Sequence, residues 1–100
     1  MSRRKEQDSM IYQMVGARIR DIREGLGMTK VDLAKRTGIG RTTLVYIESG
    51  KHCTSLGKLY KIAETLDVSV YSIVPERNDF GEQSIRELFQ EFLAEKLRRT

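Results

Sequence analysis

An all-α fold is predicted for this chain, and three observations carry that prediction. Only one Pro and eight Gly occur in 100 residues. Apolar residues recur at steps of three or four along most of the chain, the period of helices with one buried face. Between Lys30 and Gly50, KVDLAKRTGIGRTTLVYIESG, two short helical patterns flank a tight turn at Gly38. At 39% hydrophobic and 32% charged, the chain can build a small core of mainly aliphatic side chains.

The elements follow in order. Residues 1–9 read as a flexible basic arm, with Asp8 or Ser9 capping a first helix that runs to about Gly25. Its buried stripe is Ile11, Met14, Val15, Ile19, Ile22 and Leu26. Gly25 and Gly27 supply a left-handed stop. Thr29 caps the second helix, with Asp32 completing a shortened capping box. That helix buries Val31, Leu33 and Ala34 and ends at Thr37–Gly38. The third opens near Gly40 and ends at Ser49–Gly50. The fourth follows from Ser55, with Leu56, Leu59, Tyr60, Ile62, Ala63 and Leu66 as its inner face. Ser69 caps a short fifth turn, Val70 to Val74, which Pro75 closes. A polar connector at 76–81 leads to an amphipathic C-terminal helix, Glu82 to Arg99. Its stripe of Ile85, Leu88, Phe89, Phe92, Leu93 and Leu97 needs a packing partner, either its own domain or a second copy of the chain, and dimerisation is the expected use. The domain proper is 10–75, and 76–100 is connector and dimerisation helix.

Charge and composition narrow the function classes. The chain carries 18 basic and 14 acidic residues, net +4, with a pI of about 9.4. Residues 11–75 hold ten of the basic and six of the acidic groups, whereas 76–100 are slightly acidic. A polyanionic partner suits the basic domain. The single cysteine, Cys53, fits a reducing compartment, and no apolar run approaches a membrane span. The N-terminus lacks the apolar stretch of a secretory signal, so a cytoplasmic location is expected. His52 and Cys53 are adjacent, but no second His or Cys exists to complete a metal or nucleophile site. With no phosphate-cradling Gly loop or paired-carboxylate motif, neither a cofactor nor enzymatic activity is expected.

The stretch from Lys30 to Gly50 has the plan of a helix-turn-helix, in which the second of two helices enters the DNA major groove. Ala34 supplies a small residue where the helices meet. Gly38 accepts a positive φ. Ile39, Leu44 and Ile47 anchor the second helix of the pair, leaving Arg41, Thr42 and Tyr46 outward. The segments VGARIRDIRE, MTKVDLAKRTGIGRTTLVYIESGK and LGKLYKIAETLDVSVYSIV resemble the phage lambda-repressor/Cro-like (Xre-type) helix-turn-helix family. The resemblance extends from Val15 to Val74 and covers all five helices of that fold.

That resemblance implies roles position by position. Arg41, Thr42 and Tyr46 stand where the family reads base edges, with Val45 beside them. Lys30 stands where a phosphate-binding Gln is usual, and Thr43 faces the sugar-phosphate edge. Arg23 and Glu48 match a partly buried ion pair that directs Arg23 toward a phosphate. Gly50, Lys51 and His52 match a loop that approaches phosphates. The chain departs from the pattern at Thr54, where Pro is usual, and at Gly57, in the first turn of the fourth helix.

A sequence-specific DNA-binding transcription regulator is therefore expected, a repressor acting as a homodimer on a palindromic operator in double-stranded DNA. A phage, plasmid or restriction–modification controller would fit. The alternative is the antitoxin of a toxin–antitoxin pair, autoregulating its operon and binding a toxin as protein partner through the C-terminal tail.

Overall fold

The structure, a computed structural model, describes residues 3–51, 54–76, 93–95 and 97. Four α-helices and one short turn of 3₁₀-helix make up the domain: α1 (Arg3–Gly25), α2 (Lys30–Thr37), α3 (Arg41–Ser49), α4 (Leu56–Thr65) and the turn Val70–Ser72. Among the described residues there is no strand.

Local chemistry explains most of the boundaries. Thr29 accepts the Asp32 backbone N–H at 3.0 Å, and the Asp32 carboxylate accepts the Thr29 N–H at 3.1 Å, a full capping box that starts α2. Ser55 caps α4 through the Lys58 N–H, and Ser69 caps the 3₁₀ turn through the Tyr71 N–H. Gly38 and Gly50 end α2 and α3 at φ of +74° and +77°, where a side chain would be strained.

The core forms where the inner faces meet. Ile19, Leu33, Leu44, Ile47, Ile62, Leu66 and Ile73 are all fully buried, drawing on every helix. Each such side chain contributes roughly 1.5–3 kcal/mol of transfer free energy. The Arg18 guanidinium donates to the Val74 carbonyl at 3.2 Å and ties α1 to the end of the domain.

The structure corrects several sequence expectations. α1 begins at Arg3 rather than at Asp8 or Ser9, so most of the expected arm is helix. Arg3, Arg4, Lys5, Glu6 and Gln7 are all good helix formers with no Gly or Pro among them. Leu26 lies beyond the last turn of α1 and is 56% exposed, since the chain turns through Gly27 before it can reach the core. Val31 is exposed on the first turn of α2. On α4 the inward row is Leu59, Ile62, Ala63 and Leu66; Leu56 is 68% exposed and Tyr60 faces outward. Helical geometry places Tyr60 about 100° from Leu59, off the buried face. Ile11, Met14 and Ile22 are half-buried.

Leu93 and Leu97 are helical and exposed. Ile85, Leu88, Phe89 and Phe92 lie outside the described residues, as do His52 and Cys53. Among the described residues no helix is long and apolar enough to cross a membrane, and no group of three His, Cys, Asp or Glu side chains is placed to hold a metal.

Candidate nucleic-acid interface

The α2–turn–α3 unit is fastened from inside by one hydroxyl. Thr37 is buried; its Oγ1 donates to the Leu33 carbonyl at 2.7 Å and accepts the Ile39 N–H at 3.2 Å. The Gly38 N–H closes on the Ala34 carbonyl at 2.9 Å. Two of the turn's backbone N–H groups, those of Gly38 and Ile39, are thereby paired within the protein. Ala34 itself is half-buried beside the core.

Helix α3 has two unlike sides. Leu44, Ile47 and Glu48 are buried, and Arg41, Thr42, Val45 and Tyr46 are exposed together along the other side. Thr43 is half-buried between them. Four residue types are thus offered to a partner: a cation with a planar fork, a hydroxyl with a methyl group, a branched apolar group and a phenol. Together they set hydrogen-bonding groups and methyl groups side by side on one surface.

α1 braces the back of α3. Arg23 Nε donates to Glu48 Oε2 at 2.7 Å and Nη2 to Oε1 at 3.0 Å, a bidentate pair in which both residues are 5% exposed. Nη1 donates to the Met28 carbonyl at 2.8 Å, which holds the α1–α2 connection. The Glu48 hydrogen bond raises the Arg23 pKa above its ordinary value, outweighing the opposing effect of burial. Arg23 thus makes three donor contacts inside the protein, two of them to Glu48. The pair is buried, each residue 5% exposed, where the resemblance implies a partly buried one.

Two further cations of the expected set stand at helix ends. Lys30 opens α2 and is half-buried; Lys51 follows Gly50 and is exposed, its N–H donating to the Tyr46 carbonyl at 3.1 Å. Asp32 carries a carboxyl pKa below the usual range, first because the Thr29 backbone N–H donates to it and then through the Thr29 hydroxyl.

Two positioning residues escape sequence reasoning. The first is Thr37, which the sequence pattern marks only as a helix end. The second is Gly16: an added Cβ would press on the Ile47 carbonyl oxygen and stand 2.6 Å from that of Glu48. The sequence pattern instead points to Ala34 as the place of close helix approach. The available signal is a glycine inside a strongly helical stretch, where it costs roughly 1 kcal/mol relative to Ala unless another backbone approaches.

The helix-turn-helix family model HTH_3 matches residues 19–73. An HTH-type transcriptional regulator of Archaeoglobus fulgidus is 43% identical over 53 residues, spanning 53% of this chain and 76% of the relative. The immunity repressor protein of Bacillus phage phi105 is 35% identical over 69 residues, 69% of this chain, which spans only 48% of that repressor. Among solved structures, the master regulator for biofilm formation SinR, in complex with DNA, superposes with a TM-score of 0.58 at 33% identity, over 60% of this chain and 97% of that one.

Proposed function

Because this chain belongs to the HTH_3 helix-turn-helix family, we propose that it is a sequence-specific repressor that binds a palindromic operator as a homodimer. DNA-binding regulation of transcription is the function common to its relatives and is the function of this chain. The observation that carries the finer reading is the two-sided α3: a face of Arg41, Thr42, Val45 and Tyr46 backed by buried Leu44, Ile47 and Glu48.

In this reading α3 lies in the major groove. Arg41 donates both arms of its guanidinium to guanine O6 and N7, the commonest specific contact. Thr42 and Val45 meet a thymine methyl, and Tyr46 meets a base edge or a phosphate. Lys30, Thr43 and Lys51, with His52 in the same loop, hold the sugar-phosphate backbone and set the register. Repression is supported by the likeness to the phage immunity repressor. The homodimer is supported by the sequence pattern of residues 82–99, an apolar stripe of Leu, Ile and Phe at helical spacing that calls for a packing partner.

Selection of bound DNA by the full chain from a random pool tests the proposal. Two inverted copies of one motif at fixed spacing support it. A single unpaired motif removes the dimer, and no enriched motif removes sequence-specific binding.

A further inference from the structure

We propose that Gly16 and Gly50 form a seat on which α3 is levelled against α1, and that this seat sets how faithfully the protein discriminates its operator from other DNA. The inference rests on the reading of α3 as the DNA-reading helix. The glycines of the fold divide by what surrounds them. Gly27 and Gly38 have positive φ but open space where a Cβ would stand, so backbone conformation accounts for them. Gly16 has no positive φ and lies inside α1; its missing Cβ leaves room for the Ile47 and Glu48 carbonyls. Gly50 combines a φ of +77° with close packing: its Cβ would stand 2.7 Å from Gln13 Cα and 2.8 Å from Gln13 Cγ. Even favourable C–H···O contacts are about 3.3–3.6 Å long, so a methyl at Gly16 forces backbone to move.

Both close approaches fall at the C-terminal end of α3, one on the Ile47 and Glu48 carbonyls and one at Gly50, and Arg23 also holds the Glu48 carboxylate from α1. The C-terminal end of α3 is therefore fixed in height by backbone against backbone and in direction by the ion pair. Arg41 lies at the other end, roughly 10 Å along the axis. A displacement at Glu48 tilts the helix and carries Arg41 with it. Bidentate donation to a base tolerates only a few tenths of an ångström around 2.7–3.2 Å, whereas binding to phosphates tolerates such a shift. The seat thus acts on specificity before it acts on general DNA affinity.

Gly16→Ala tests this, with Ile62→Val as a control that loosens the core at α4, outside the seat, without adding an atom. Affinities of the full-length proteins for the operator and for random DNA are compared, each corrected for active fraction by stoichiometric titration. In Gly16→Ala the ratio of operator to random affinity falls by roughly tenfold, the scale of one bidentate pairing with a base, while random binding stays within about threefold. In Ile62→Val the ratio stays at the wild-type value. A Gly16→Ala ratio equal to that of the wild type overturns the proposal. If Gly16→Ala does not fold, Gly50→Ala undergoes the same comparison with the same expected outcome; failure of both to fold assigns the seat to stability alone and overturns it too. A wild-type protein with no preferred sequence would instead refute the DNA-reading role of α3, a separate result.

Discussion

Arg23 on α1 and Glu48 at the end of α3 form a bidentate, buried ion pair across 25 residues of sequence. The pair fastens the back of the exposed α3 face to the longest helix, and its third donor fastens the α1–α2 connection as well. Removing one partner strands a buried charge. Glu48→Ala should therefore destabilise by about 3–5 kcal/mol. The double replacement Arg23→Met with Glu48→Leu should lose much less, because no charge is left unpaired. Urea unfolding of the three proteins checks both statements, and equal losses in the single and double variants would refute them.

Thr37→Val keeps the shape of the turn and removes its hydroxyl. The Ile39 N–H then loses its acceptor and the Leu33 carbonyl a donor, inside the fold. The expected loss is about 1–3 kcal/mol, readable as a fall in the urea midpoint at unchanged slope. A Thr37→Ser variant, which retains the oxygen, should recover most of it.

The capping box makes stability depend on acidity. The Asp32 pKa is lower in the folded state, because the Thr29 N–H and hydroxyl bond its charged form. Its contribution is complete above the ordinary aspartate value of about 3.9 and is lost as pH falls through the lower folded value. Unfolding free energy between neutral and strongly acid pH should fall less steeply in Asp32→Ala than in the wild type. Parallel curves would show that the carboxylate contributes nothing.

The parts of the fold legible in the sequence are those decided by local chemistry. Thr29 with Asp32, Ser69, and Gly38 act within four residues of themselves, so their roles can be read from spacing alone. Leu26, Val31, Leu56 and Tyr60 cannot be assigned this way. Each is apolar and close to a helical stripe, but burial depends on whether another element reaches that turn, and none covers them enough. Gly16 is hidden for a related reason: the carbonyls it accommodates lie 31 and 32 residues away. The exposed side of α3 is legible because the buried positions Leu44 and Ile47 imply it. For Arg23 the family resemblance implies the pairing with Glu48, whereas its depth depends on how closely α1 packs on α3.

Lys30 and Arg41 should fail in different ways. Lys30→Ala should weaken binding to operator and random DNA alike. It should also reduce the slope of log affinity against log salt by about one unit, the effect of neutralising one phosphate fewer. Titrations at several salt concentrations supply the slope. A loss confined to the operator would place Lys30 among the base-reading residues instead.

The central claim is that the exposed face of α3 reads sequence, with Arg41 foremost. Selecting DNA from a random pool with wild type and with Arg41→Ala, side by side, tests it most directly. The account predicts the same motif in both, with the guanine preference at one position of each half-site relaxed in the variant by about 1–3 kcal/mol. An unchanged motif at unchanged affinity would contradict it.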